Sequence, residues 1–139
     1  MVLGRVSTLP AETVPLARAW SRVLRAPIIA DRDQPPFARA AMDGFAVRSS
    51  DAGEPGARLK VTGEVRAGVW PDRRVGEGEA IRIMTGAPVP EGADAVIQVE
   101  RTREVEAAGG SPEVLVEVSV NAGQNIVPRG SEALAGAVL

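Results

Sequence analysis

Glycine and proline punctuate this sequence more than anything else does. Fifteen glycines and eleven prolines occur in 139 residues, and from Ile28 onward they cut the chain into short segments. Proline has no backbone N–H to give, and glycine costs entropy in any regular element, so long helices are poor solutions for such a chain. Short strands joined by turns are better ones. The segments alternate accordingly. In RLKVTGEV, Leu59 and Val61 share one face and Lys60 and Thr62 the other. AIRIM sets Ile81 and Ile83 against Arg82, and DAVIQVE sets Val96, Gln98 and Glu100 against Ile97 and Val99. VLVEVSV is the clearest case, with Val114, Val116, Val118 and Val120 on one face. AAGGSP, Ala107 to Pro112, joins it to RTREVE as a hairpin.

The region before Ile28 has a different period. Leu16, Trp20, Val23 and Leu24 fall at i, i+4, i+7 and i+8, one face of a helix. Thr13 suits its N-cap and Pro15 its first turn. Arg18, Ser21, Arg22 and Arg25 mostly take the other faces, and Pro27 stops it. The expected fold class is therefore α+β dominated by short β-strands: one N-terminal helix, then a small β-rich domain. DRDQPP, Asp31 to Pro36, marks the expected boundary, and no internal repeat stands out.

Composition narrows the chemistry. With 45% hydrophobic but only 3% aromatic residues, the core must be aliphatic. Sixteen basic against eighteen acidic residues argue against nucleic acid as a partner, since phosphate binding wants a basic excess. Lys60 is the only lysine, and the arginines form no polybasic run. The chain has no cysteine and no histidine, which removes thiol nucleophiles, disulfides, zinc sites of the usual kind and imidazole acid–base chemistry. A metal here would be a hard cation on oxygen, with Mg2+ the first choice. No stretch approaches the roughly 20 apolar residues of a membrane span. MVLGRVSTLPAET is too short and interrupted for a signal peptide, so no membrane association and a cytoplasmic location are expected. The chain stops inside the apolar SEALAGAVL, which reads as a cut in a longer protein or as a terminal strand docked in a sheet.

Three loop segments carry groups capable of chemistry. In AAMDGFA, Asp43 is either a turn residue or an exposed carboxylate; Asp-Gly is a common turn pair because glycine takes positive φ. MTGAPVPEGAD offers the Thr85 hydroxyl, a Gly86 that permits close backbone approach, and two stiffening prolines. It would present backbone donors and a hydroxyl to an anion, or simply connect two strands rigidly. In NAGQNIVPRGSEALAG, Arg129 has the fork to grip a carboxylate or phosphate and Glu132 the charge to hold a cation; the residues alone favour a solvated turn with an ordinary surface Arg and Glu. Glu77 and Glu79 in GEGEA read as a solvated turn, and the Trp20 face as core or interface.

Taken together, PPFARAAMDGFAVR, IRIMTGAPVPEGADAVIQVE and GQNIVPRGSEALAGAVL, in this order and spacing, resemble the MoeA family, the molybdopterin molybdotransferases, to which the C-terminal part of gephyrin is similar. The start, ETVPLARAWSRVLRAPI, resembles the family's Pro-Leu helix, and RIMTGAPVPEGADAV is the most specific run. The resemblance implies a transferase of molybdenum cofactor biosynthesis. It would insert molybdenum from molybdate into adenylylated molybdopterin and release AMP, with Mg2+ as cofactor. It implies an elongated homodimer of four-domain subunits, whose cleft lies between the β-rich second domain of one subunit and a MogA-like third domain supplied in trans. On that reading residues 1–35 are part of the first domain, 36–120 the second, and 121–139 a truncated return segment. Part of the leading helix would precede Met1, and this chain alone would be inactive.

Carried over by motif, Asp43 and Thr85 are the catalytic cleft residues, Gly86 and Arg129 bind substrate, and Glu132 stands at the metal position. Glu132 takes the place of the family's usual Asp, with an arm one methylene longer. Ala38, Arg39 and Ala40 replace a polar pair and Ser, Phe45 replaces Tyr, and Ser21 replaces Gly. Few aromatics and no histidine leave little on which to stack a pterin. The alternative is a non-catalytic dimerisation or scaffolding module built on the same β domain.

Overall fold

Among residues 7–107 and 110–139, which the computed structural model describes, eight short strands form. They are β1 (Arg39–Ala40), β2 (Gly44–Val47), β3 (Arg58–Val65), β4 (Glu79–Ile83), β5 (Ala95–Gln98), β6 (Thr102–Glu106), β7 (Pro112–Val116) and β8 (Ile126–Val127). Six of them make one curled sheet in the order β5-β2-β4-β3-β7-β6, and β1 pairs with β8 in a small second sheet. Only β3 and β4 run parallel; the other neighbours are antiparallel. The RLKVTGEV alternation becomes β3 over its full length, and RTREVE with VLVEVSV becomes the β6–β7 hairpin.

The sheet buries apolar residues on both faces, so β2 (GFAV) is buried at all four positions. Phe45, Val47, Leu59, Ala95, Ile97, Val114, Val116 and Val120 meet in one core, which draws in residues from nearly the whole width of the sheet. Ala46, Val65, Ile81, Ile83 and Val96 join Ala40, Val75 and Ala87 in the other. Opposite faces of β4 and β5 thus feed opposite cores, as alternation requires. Strand β3 switches between them. Val61 pairs with Ala80 and Gly63 with Ile81, so Thr62 is an extra residue, a bulge. Without it Val65 would share the face of Leu59 and Val61; the one-residue shift turns it into the second core. The DAVIQVE alternation holds through Gln98, after which Val99–Arg101 winds into a 3-10 turn. VLVEVSV leaves the sheet at Val116, although Val118 and Val120 still pack on the face shared by Val114 and Val116.

The expected N-terminal helix does not form. Only Leu16–Arg18 makes a 3-10 turn, Thr13 caps nothing, and Ser21 sits at φ 61. The stripe meant to drive the helix stays in solvent, with Leu16 91% and Trp20 90% exposed and Val23 and Leu24 also exposed. A short helix in water is marginal unless its apolar face is packed, and nothing in the described residues covers this one.

Beyond β8 the chain runs back beside residues 28–35. Bridges link Ile29 to Val138 and Gln34 to Ala133, and Leu139 N–H donates to the Ile28 carbonyl at 2.9 Å. No helix among the described residues is long and apolar enough to cross a membrane.

Candidate functional site

Asp43 stands between β1 and β2, and the residue after it explains how closely its surroundings are drawn in. Gly44 begins β2 between Ile83 of β4 and Gln98 of β5. A Cβ built on Gly44 would lie 1.7 Å from the Ile97 carbonyl oxygen. The glycine is needed for this approach of two backbones and not, as the Asp-Gly pair suggests, for a positive φ, which Gly44 does not adopt.

The Asp43 side chain reaches out of its own turn. Oδ1 accepts the Thr85 backbone N–H at 2.7 Å and the Thr85 hydroxyl at 2.5 Å, tying together loops 42 residues apart. Thr85 arrives there because β4 has just ended at Ile83 and Met84 N–H donates to the Val65 carbonyl at 3.1 Å. Gly86 then turns at φ +80, its N–H donating to the Ala40 carbonyl at 2.9 Å, and Ala87 N–H donates to Met84 at 3.0 Å. The Asp43 carbonyl accepts the Val99 N–H at 3.1 Å, which fixes the 3-10 turn Val99–Arg101 beside it. The Thr85 hydroxyl and then the Thr85 N–H hold the Asp43 carboxyl below its usual range, so it is ionised at neutral pH.

Met42, Asp43, Thr85, Gln98, Glu100 and Arg101 line an open hollow of about 500 Å3. Oδ2 of Asp43 has no hydrogen-bond partner among the described residues. Arg101 likewise has no carboxylate partner there, whereas Arg39, Arg82 and Arg129 each have one. The hollow therefore combines a fixed anion, a second carboxylate, an amide and one unpaired cation. It suits a polar ligand carrying both charge and hydrogen-bonding oxygens.

Asp43 and Thr85 meet at the hollow, Gly86 follows Thr85 but is not part of its lining, and Arg129 and Glu132 lie elsewhere. Arg129 Nε donates to Asp33 Oδ2 at 2.6 Å, and Asp33 Oδ1 accepts the Ala135 N–H at 2.9 Å. The Ala135 N–H first, and then Arg129, keep the Asp33 carboxyl low. Arg39 Nη2 donates to Glu132 Oε1 at 3.0 Å. In this chain both residues fasten the return segment to residues 33–39. Among the described residues no group of three or more acidic side chains is arranged to hold a metal ion. The backbone donors of residues 85–87 are all spent inside the protein, so this loop does not offer them to an anion. Gln98, Glu100 and Arg101 carry no signal in the sequence beyond strand alternation. Only the register that sets Gln98 opposite Gly44 brings them to Asp43.

The family model described as MoeA N-terminal region (domain I and II) matches residues 1–139. A molybdopterin molybdenumtransferase of Staphylococcus aureus (strain MRSA252) is 42% identical over 109 residues, covering 76% of this chain and 26% of the relative. One of Bacillus subtilis (strain 168) is 39% identical over 132 residues, covering 92% of this chain and 30% of the relative. Among solved structures, the molybdopterin biosynthesis moeA protein of Pyrococcus horikoshii OT3 superposes with a TM-score of 0.82 at 38% identity, covering 92% of this chain and 34% of that one. The chain thus spans roughly a quarter to a third of the length of the proteins it matches.

Proposed function

Because the chain belongs to the MoeA family, matching its N-terminal region along its whole length, we propose that it supplies one wall of a molybdenum insertase's active cleft. The parent enzyme would transfer molybdenum from molybdate to the dithiolene of adenylylated molybdopterin and release AMP, in the cytoplasm. The observation that carries this reading is the Asp43 carboxylate, held by two hydrogen bonds from Thr85 at the edge of an open hollow and with one oxygen unshared. The proposed domain division is the one read from the sequence: 1–35, 36–120 and 121–139.

Each side chain has a definite task in this scheme. Asp43, ionised, is a fixed negative charge and an acceptor. Thr85 donates its only hydroxyl hydrogen in the bond to Asp43, so towards a substrate its oxygen acts as an acceptor. Mg2+ is commonly held by one or two carboxylates together with substrate phosphates, and Asp43 and Glu100 have that chemistry. Bound there, Mg2+ would offset the charge of a phosphoanhydride. Glu132, paired with Arg39, takes no part.

One wall does not make a cleft. The remaining groups would come from the MogA-like third domain of the partner subunit in a homodimer, and the 139-residue chain alone would not turn over. The test is AMP release from adenylylated molybdopterin with molybdate and Mg2+, comparing the full-length parent with this chain. Turnover by the isolated chain refutes the half-site reading, and an inactive parent refutes the insertase reading. A second reading, a dimerisation or scaffolding module, draws on the exposed Leu16, Trp20, Val23 and Leu24. It predicts a parent that dimerises yet releases no AMP.

A further inference from the structure

We propose that Arg101, assisted by the Gln98 side-chain amide, is the anion-holding group of the hollow, and that its ligand is a tetrahedral oxyanion, either a phosphoryl group or free molybdate. The proposal rests on the reading of the hollow as part of a cleft for an anionic substrate. It follows from an inventory of donors. An oxyanion needs N–H or O–H groups directed at it, and those of the 84–87 loop are already committed. Thr85 gives both its N–H and its hydroxyl to Asp43, Gly86 gives its N–H to Ala40, and Ala87 gives its N–H to Met84. Asp43 and Glu100 repel an anion. The side-chain donors remaining along the lining are the amide of Gln98 and the guanidinium of Arg101.

Arg101 is also held in the way such a role requires. Its turn is pinned at both ends: Val99 N–H donates to the Asp43 carbonyl at 3.1 Å, and the Thr102 hydroxyl donates to the Val99 carbonyl at 2.8 Å. The Arg101 carbonyl accepts the Glu117 N–H at 3.0 Å. The backbone under the guanidinium is therefore fixed relative to Asp43, while the guanidinium has no carboxylate partner among the described residues. The next arginine along, Arg103, differs on this point and pairs with Glu117 at 3.5 Å. A planar guanidinium fork matches two oxygens of a tetrahedral anion, which a lysine ammonium does only as a point charge. The flanking carboxylates add selectivity, because they penalise an anion whose charge is not partly neutralised by protons or a cation.

The experiment is a heteronuclear NMR titration of the 139-residue chain with sodium molybdate, inorganic phosphate and AMP in separate arms at constant ionic strength. The expected result is a saturable shift of the Gln98–Thr102 amides in at least one arm, and the responding arm distinguishes free molybdate from a phosphoryl group. Arg101→Gln weakens this binding by about tenfold or more, Arg101→Lys retains part of it, and Arg103→Gln leaves it at the wild-type value. Wild-type affinity in Arg101→Gln overturns the proposal, as does the lack of a saturable shift in all three arms. In the full-length parent, Arg101→Gln raises KM for the anionic substrate with kcat nearly unchanged. If the parent has no insertase activity but anion binding is still lost in Arg101→Gln, the functional reading falls and the assignment of Arg101 stands.

Discussion

Gly44→Ala is the most informative single change in this fold, because it adds one methyl where two backbones touch. The new Cβ would lie 1.7 Å from the Ile97 carbonyl oxygen, 2.8 Å from its carbon and 3.1 Å from the Gln98 Cα. All three atoms are backbone, so no side chain can swing aside. β2 and β5 must part by more than 1 Å at the end of a ladder that runs from Gly44↔Gln98 to Val47↔Ala95. Losing one or two ladder hydrogen bonds costs about 1 kcal/mol each. Displacing Ile97, which is fully buried, adds an overpacking penalty of about 1–3 kcal/mol. The expected loss is about 3 kcal/mol, a large part of the roughly 5–15 kcal/mol that holds a domain together. That corresponds to a drop in Tm of about 10 °C for a chain of this size. Urea and thermal unfolding followed by circular dichroism measure it. Gly53→Ala is the control, since its φ is not positive and its nearest neighbour would be the Ser49 oxygen at 3.7 Å; it should change stability by no more than about 0.5 kcal/mol. If Gly44→Ala is as mild as Gly53→Ala, the close strand approach beside Asp43 is refuted.

The other predictions concern packing and pH. Phe45→Ala, at the centre of the first core, should cost about 3–5 kcal/mol, whereas Trp20→Ser should leave the stability of this chain within about 0.5 kcal/mol; a large loss for Trp20→Ser in the same unfolding assay would restore a packed N-terminal helix. Asp31, Asp33 and Asp43 all have lowered carboxyl pKa values, Asp31 through Arg32, Asp33 through the Ala135 N–H and Arg129, and Asp43 through Thr85. Their contribution is present above the unfolded value of 3.8 and is lost as pH falls through the folded values. With no histidine to titrate, stability measured by urea midpoint should be nearly level from pH 8 to pH 5 and fall below about pH 4, with a shallower acid limb in Asp33→Asn. A midpoint change centred near pH 6.5 would contradict this assignment.

The β half of the fold was legible because its signals are local. Period-two alternation and a glycine-rich turn are enough to read β3 and the β6–β7 hairpin, to which the structure adds the Thr62 bulge that sends Val65 to the opposite core and the end of β7 at Val116. The expected helix does not form because a 3.6-residue apolar stripe specifies a surface seeking cover, and the cover is a tertiary fact: Leu16 and Trp20 find none among the described residues. At the site, the motif resemblance singles out Asp43 and Thr85 separately as cleft residues, and the hydrogen bonds that join them across 42 positions are visible only in the structure. Arg129 and Glu132 belonged to an equally clear motif, yet their charges are spent on Asp33 and Arg39. Arg101 was invisible for the opposite reason. An arginine one turn past a strand looks like any solvated residue until the β2–β5 register carries it to Asp43.

The central claim is that Asp43 and Thr85 act as one unit in the parent's cleft. The direct test is a double-mutant cycle in the full-length parent, with kcat/KM for AMP release measured in Asp43→Asn, Thr85→Ala and the double variant, and circular dichroism used to check the fold of each. Asp43→Asn removes the charge and Thr85→Ala removes the hydroxyl bond while keeping the backbone N–H bond, so each single change should lower kcat/KM by about tenfold or more, and the double variant should lose little beyond the worse single one. Losses that multiply, or activity that survives either change, would contradict it.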